Sequence, residues 1–250
     1  MLAIERRSQI LTIIEESKSV HVSDIAKTFS VTEETIRRDL EKMEREGLVI
    51  KTYGGAVLAE GLSTNAPYRI RFETNQTQKL QIAQKILELV SPKDSIMLDA
   101  SSTCVNIAKK LSRIKNLTII TNSVEILVEC STYETMKVIS TGGHLSGTSL
   151  SLVGQSACTT LRRFTVDKAI ISCKGIDFSK GLTESSLADA EVKRAMAENA
   201  REVILAIDSS KFNRPAFATS VGIEKISKVV SDSIPDDWQE HFEKFSVVCI

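Results

Sequence analysis

The chain has no net charge: 32 Lys and Arg are matched by 32 Asp and Glu across 250 residues, so no global field draws it to nucleic acid or to an anionic membrane. Any such binding has to come from local charge placement. Long apolar runs are also missing. Stretches such as Val203 to Ile207 fall far short of the roughly 20 apolar residues a bilayer span needs. Met1 to Arg7 meets charge at once and lacks the apolar core of a secretory signal, so the expected location is the cytoplasm. The five cysteines (Cys104, Cys130, Cys158, Cys173, Cys249) include no C-x-x-C pair and read as reduced, mostly buried small hydrophobes. With only His21, His144 and His241 to add, and none at ligand spacing, no metal site is expected. Internal repeats and low-complexity segments are absent.

What is present is 42% hydrophobic and 26% charged residues, the composition of a globular chain of one large domain or a small domain joined to a medium one. Apolar residues at Ile10, Leu11, Ile13 and Ile14 predict a helix over roughly Ile4 to Glu16. Ser23 then caps a short helix carrying Ile25, Ala26 and Phe29. Ser30-Val31 breaks it, and Thr32 caps a longer helix running to Glu46, with Gly47 at its left-handed end. Two helices with a tight turn make a helix-turn-helix candidate. The β-rich run Leu48 to Gly55 reads as the two-stranded wing of a winged helix.

On a helical wheel, Ile36, Leu40 and Met43 share one stripe, and Thr35, Arg38, Lys42 and Arg45 fall roughly opposite. One side packs and the other can enter a groove. Thr32, Thr35 and Arg38 sit in the half of the helix that points at base edges, while Arg37 is turned toward phosphate. Against this, residues 1–56 carry nine Lys and Arg (6, 7, 18, 27, 37, 38, 42, 45, 51) and ten Asp and Glu (5, 15, 16, 24, 33, 34, 39, 41, 44, 46), with no basic footprint. Glu34 and Glu41 flank Arg38 at pairing distance, as on many helices that never touch DNA.

A weak pattern over 57–75 places a linker between domains at 1–56 and 76–250. After a helix from Gln76 to Val90, strands alternate with helices: Ser95 to Asp99, Leu117 to Thr121, Lys137 to Thr141, Lys168 to Cys173, Val203 to Asp208 and Lys228 to Ser231, with Phe245 to Ile250 as an edge strand. That rhythm predicts an α/β domain with a mostly parallel sheet covered on both faces. Trp238 and Phe242 are expected to anchor a C-terminal helix.

Ligands of such sheets collect beyond the carboxyl ends of the strands, and those ends are polar here. Asp99, Ser101, Ser102 and Thr103 lead into a helix, as do Thr121, Asn122 and Ser123; Gly142-Gly143, Lys174-Gly175 and Asp208 with Lys211 end three further strands. Helix-opening hydroxyls, paired glycines and two lysines suggest a small anionic, polyhydroxylated ligand. Each cluster has a plainer reading as a helix cap, a turn or a solvated charge. Gly142 to Ser149 has P-loop glycine spacing but Thr148 where Lys is required, and no G-x-G-x-x-G follows a strand, so no nucleotide cofactor is expected.

Val31 to Leu40, containing T-I-R-R-D-L, followed by L-V-I-K-T-Y-G-G-A at Leu48 to Ala56, resembles the N-terminal domain of DeoR-family bacterial transcriptional regulators. The resemblance continues through nearly the whole chain. It implies DNA contacts at Thr35, Arg37 and Arg38, with Lys51 and Tyr53 on the wing. It also implies a second domain similar in fold to ribose-5-phosphate isomerase that senses a phosphorylated sugar or derivative. The matching stretches are Asp99 to Thr103, Thr121 to Ser123, Gly142-Gly143 with Gly154, Asp167 to Asp177, Gly181 to Thr183, and Asp208 to Phe212. Ser101 stands where the family's D-x-G-[ST]-T loop has Gly, and its side chain narrows the backbone's approach to a phosphate.

The expected function is therefore an operator-binding regulator, most often a repressor in this family, of a carbohydrate operon. Because one net-neutral head makes few phosphate contacts, a dimer or larger is expected. The alternatives are a sugar-phosphate isomerase or deaminase using Asp208, Lys211 and Asp99, for which no dedicated carboxylate base stands out, and a winged-helix protein-interaction module.

Overall fold

A computed structural model describes residues 2–17, 19–45, 48–58 and 68–250. The chain divides into two compact units, Met1–Thr74 and Asn75–Ile250.

In the first unit α1 (Ala3–Ser17) buries Ile10, Leu11 and Ile14 at the spacing that predicted it. A three-residue strand, β1 (Ser19–His21), follows with only Val20 turned inward. It pairs with the wing and is too short to leave a periodic signal. The expected cap at Ser23 is corrected: α2 (Val22–Thr28) begins two residues earlier than a Ser23 cap would start it, with His21 in the cap position and no side-chain cap. Pairing of β1 holds the chain extended through His21, and the Val22 N–H already bonds the Gly54 carbonyl, so the helix starts where the strand ends. Phe29 follows the helix, and Ser30 turns the chain at φ 52°.

Thr32 does cap α3 (Glu33–Arg45), accepting the Thr35 N–H at 3.3 Å. Glu46 and Gly47, the expected helix end, lie outside the described residues. The wing is β2 (Val49–Thr52) and β3 (Gly55–Leu58), joined by Tyr53-Gly54. The sheet is three-stranded, in the order β1-β3-β2, where two strands were expected. Each wing glycine has its own cause. Gly54 takes φ +83° at the tip, and a Cβ on Gly55 would stand 2.0 Å from the Val20 carbonyl oxygen. Of the stretch 57–75, Val57 and Leu58 end β3, α4 occupies Tyr68–Glu73, and 59–67 lie outside the described residues.

The second unit opens with α5 (Gln76–Leu87) and proceeds through β4 (Ser95–Leu98), α6 (Ser102–Leu111), β5 (Leu117–Thr121), α7 (Val124–Cys130) and β6 (Met136–Ser140). The hairpin β7 (His144–Ser146) and β8 (Ser151–Val153) leads into α8 (Gln155–Leu161) and β9 (Val166–Ile171). Then come β10 (Gly175–Asp177), β11 (Gly181–Glu184), α9 (Leu187–Glu198), β12 (Ala200–Ala206), β13 (Ala218–Thr219), β14 (Lys228–Val230), α10 (Asp236–Lys244) and β15 (Val248–Cys249). Seven strands form one sheet in the order β15-β14-β12-β9-β4-β5-β6, each neighbouring pair parallel. β10, β11 and β13 make a small separate sheet.

From β4 the chain winds one way through β5 to β6, and from β9 the other way through β12 and β14 to β15. The switch point is therefore between β4 and β9, where open α/β sheets leave a crevice at the carboxyl edge. With right-handed crossovers this reversal puts helices on both faces. The core runs between the sheet and its helices, from Met97 and Ile120 to Leu205 and Val229, and Trp238 and Phe242 are fully buried anchors for α10. Among the described residues no helix is long and apolar enough to cross a membrane, and no His, Cys, Asp and Glu group is placed to hold a metal. Cys104, Cys130, Cys158 and Cys173 are buried free thiols, and Cys249 is exposed.

Candidate DNA-reading helix and ligand edge

The amphipathic stripe of α3 packs as its sequence demands: Ile36, Leu40 and Met43 are all within 1% of full burial. Asp39 is buried with them, its carboxylate held by Arg6 Nε at 2.5 Å and Arg7 at 3.4 Å, both from α1. An acidic side chain on the packed face is the feature the wheel missed, because its partners lie 32 and 33 positions upstream.

The opposite face stays open. Arg37 and Arg38 have side chains 54% and 77% exposed, paired one turn back with Glu33 at 2.9 Å and Glu34 at 3.2 Å. Such pairs are worth only about 0.3–0.5 kcal/mol and yield readily to a stronger anion. Thr32 and Thr35 share a hydroxyl contact at 2.9 Å, so Thr32 is first a helix cap. Lys42 is exposed and makes no ion pair among the described residues. The wing is tied to α3 through Lys51, whose Nζ reaches Glu41 at 3.2 Å and whose N–H reaches Glu44 at 3.0 Å, while Tyr53 stands fully exposed at its tip.

In the second unit Asp99, Ser101–Thr103, Thr121–Ser123, Lys174–Gly175 and Asp208–Lys211 follow the adjacent strands β4, β5, β9 and β12, on one edge. Gly142-Gly143 follows the far strand β6. Positive φ at both and a Val153 carbonyl 2.6 Å from a Cβ on Gly143 make this pair a turn into the β7–β8 hairpin. Gly175 is buried against the Arg214 carbonyl, 1.7 Å from where its Cβ would lie.

Asp99 spans the switch point. One oxygen accepts the Ser101 N–H at 3.0 Å; the other accepts the Ser172 N–H at 2.9 Å and faces Lys193 Nζ at 2.9 Å. Lys193 also donates to Glu184 and to the Ser172 carbonyl, each at 2.7 Å. Burial pushes the Asp99 carboxyl up, but the Lys193 ammonium and its hydrogen bonds outweigh it and hold it below the usual range. For Glu184 burial dominates, and its carboxyl rises to about 7. Lys193, despite burial, is held charged by Asp99 and Glu184. Neither Lys193 nor Glu184 was among the expected site residues. The available signal was a lysine on α9 whose neighbours three residues either way, Ala190 and Met196, are apolar.

Ser101 caps α6 by accepting the Cys104 N–H at 3.1 Å, so its side chain takes up a helix-end donor that a glycine would leave. Ser102 and Thr103 are buried. Thr121 is fully buried and locks its turn, donating to the Leu98 carbonyl and accepting the Ser123 N–H. Ser123 caps α7, and Asn122 pins the hairpin through the Leu152 carbonyl. Asp208 Oδ1 accepts from Asn75 Nδ2 and from both the N–H and the hydroxyl of Ser210. Burial raises the Asp208 carboxyl, while nearby Lys211 and Lys79 and these hydrogen bonds bring it below its ordinary value. Lys174 and Lys211 are half-buried.

A winged helix-turn-helix head joined to a parallel α/β unit with a polar carboxyl edge defines a class: a DNA-binding transcription regulator with a sensor domain. Residues 6–61 match the DeoR-like helix-turn-helix domain and residues 74–233 the DeoR C terminal sensor domain. The chain belongs to the DeoR family of transcription regulators. It is 40% identical to the helix-turn-helix-type transcriptional regulator YulB of Bacillus subtilis, over 93% of this chain and 90% of that one. It is 29% identical to the glycerol-3-phosphate regulon repressor of Escherichia coli K12, over 94% and 93%. A ribose 5-phosphate isomerase from Methanocaldococcus jannaschii is similar over 56% of this chain and 55% of that one, with 18% identity and a TM-score of 0.41.

Proposed function

We propose that the chain is a repressor of a carbohydrate-metabolism operon, relieved or engaged by a phosphorylated sugar or related metabolite at the carboxyl edge of the sheet. The carrying observation is the division of labour on α3. Asp39, Ile36, Leu40 and Met43 fix the helix, while Arg37 and Arg38 stay exposed on the other face. Arg38 reads base edges and Arg37 and Lys42 meet phosphates, with Thr35 beside them and Lys51 and Tyr53 extending the contact from the wing. Thr32 supports them as the cap. The repressor name of the Escherichia coli relative supports the sign of regulation.

At the sheet edge the effector's partners are Asp99, Ser101, Ser102, Thr103, Asn122, Ser123, Lys174, Gly175, Asp208 and Lys211, with Thr121, Gly142 and Gly143 shaping the loops. The net charge of the head favours paired heads on adjacent half-sites, hence an oligomer acting on operator DNA in the cytoplasm. The regulator names of the relatives favour a sensor over a sugar-phosphate enzyme.

The test titrates the full chain against duplex DNA taken from beside its own gene. Wild type binds that duplex at least 1,000-fold more tightly than scrambled sequence. Arg38→Ala loses about 1–3 kcal/mol and relaxes specificity, whereas Arg37→Ala weakens all sequences alike and flattens the salt dependence. Indifference of both affinity and specificity to Arg38→Ala would refute the DNA assignment. Turnover of a sugar phosphate by the pure protein would replace the sensor reading with an enzymatic one.

A further inference from the structure

Two buried acceptors hang on the first turn of α5, where it bridges α6 and the loop after β12. Their orientation is fixed by their neighbours. Asn106 Nδ2 donates to the Ser102 carbonyl at 2.9 Å, so its Oδ1 faces Gln76 and accepts from Gln76 Nε2 at 3.0 Å. Gln76 Oε1 is thereby turned away, buried and without a hydrogen-bond partner among the described residues. One residue earlier, Asn75 Nδ2 donates to Asp208 Oδ1 at 2.9 Å and to Ser210 Oγ at 3.1 Å. Asp208 is 1% exposed, and all its hydrogen bonds fall on Oδ1; Oδ2 is buried and has none. Asn122, 3% exposed beyond β5, repeats the pattern, its Nδ2 spent on the Leu152 carbonyl and its Oδ1 unpartnered.

The three buried side-chain atoms along this edge that have no hydrogen-bond partner among the described residues, Gln76 Oε1, Asp208 Oδ2 and Asn122 Oδ1, are all acceptors. Asp208 stays ionised beside Lys211 and Lys79, so its Oδ2 cannot supply a proton of its own. A phosphate dianion offers acceptors too and meets no need here, whereas sugar and polyol hydroxyls donate. Buried polar atoms demand partners, and a site built to bond a hydroxyl rejects the analogue that lacks it.

We propose that Asp208 Oδ2 and Gln76 Oε1 are hydroxyl-accepting specificity determinants that bind the polyol part of the effector, not its phosphate. The assignment rests on the sensor reading above and goes beyond it by naming which end of the ligand lies against α5. Asn75 and Asn106 are positioning residues that hold the two acceptors in orientation.

The experiment uses the full chain and calorimetric titration with a panel of aldose, ketose and polyol phosphates. Each is paired with a deoxy analogue missing one hydroxyl, and the free sugars and inorganic phosphate are run beside them. Wild type prefers one hydroxylated phosphate over its deoxy partner by at least tenfold. In Asp208→Asn the amide oxygen keeps the bonds made by Oδ1, while the charged acceptor Oδ2 gives way to an amino group to which the ligand hydroxyl can no longer donate. Affinity for the hydroxylated ligand falls at least tenfold, affinity for the deoxy analogue stays within threefold, and the preference collapses. Gln76→Leu moves the preference in the same direction and decides the matter should Asp208→Asn fail to fold.

Equal losses for both ligands would show that Asp208 only shapes its loop, and affinities within twofold of wild type in both variants would mean that trapped water alone serves these oxygens. Either result overturns the assignment and leaves the sensor reading standing. Failure of every panel member to bind wild type sinks the sensor reading, and this one with it.

Discussion

Arg6 of α1 and Asp39 of α3, 33 positions apart, form an ion pair at 2.5 Å that is 8% and 4% exposed, with Arg7 as a second cation at 3.4 Å. The recognition helix is thus keyed to the head by a charge as well as by its apolar stripe. Desolvation makes such a pair a modest source of net stability, but breaking it leaves a charge buried alone.

Asp39→Ala is therefore expected to destabilise the head by about 3–5 kcal/mol. Hydrogen exchange of the α3 amides in the full chain measures this. Exchange should accelerate across α3 and leave the β9 and β12 amides unchanged. Unaltered protection of α3 would show that the pair does not hold the helix.

Glu33 and Glu34 occupy the arginines in the free protein, so under the proposed function DNA has to displace them. Glu34→Gln removes that competitor and one negative charge from a head whose net charge opposes DNA. Operator affinity at low salt should rise about two- to fivefold, the equivalent of about 0.4–1 kcal/mol for an exposed pair. The gain should shrink toward nothing near 1 M salt, where the Debye length is about 3 Å. A salt-independent gain would point to a new direct contact instead.

Much of the fold is legible in the sequence because periodicity reports what each residue packs against. Six of the seven strands of the large sheet, β4, β5, β6, β9, β12 and β14, and the stripe Ile36, Leu40 and Met43 are examples. Segments of three residues, such as β1, carry too little pattern. The edge loops are legible as polar, yet their roles are not, since Ser101, Thr121 and Ser123 spend their hydroxyls on local backbone. Gln76, Lys193 and Glu184 escaped notice because long-range register, not local spacing, brings them to the edge.

Glu184 makes stability depend on pH. Its folded value, about 7, lies above its unfolded 4.5, so the native state binds this proton more tightly. Its contribution is greatest below about 4.5, falls as pH rises toward 7 and is flat beyond. The expected loss is up to about 3 kcal/mol, from 1.36 kcal/mol per pKa unit. Urea unfolding followed by the fluorescence of Trp238, the chain's single tryptophan, isolates the second unit. The difference between wild type and Glu184→Gln, which cannot titrate, should carry this slope. Parallel pH profiles would show that Glu184 ionises normally in the folded state.

The two wing glycines separate backbone conformation from close approach. At Gly54 the space around a Cβ is open within 4 Å, so Gly54→Ala meets only the cost of φ +83°, about 1–2 kcal/mol. At Gly55 the new methyl would lie 2.0 Å from the Val20 carbonyl oxygen and 3.1 Å from its carbon, and β1 would have to leave β3. Val22 would then lose its bond to the Gly54 carbonyl, and with it the start of α2. Gly55→Ala is expected to cost about 3 kcal/mol or more, at the upper end for an overpacked site. Hydrogen exchange at Val20 and Val22 distinguishes the two variants: Gly55→Ala should abolish protection there and Gly54→Ala should only reduce it. Equal exchange in both would mean that β1 is not held by the wing.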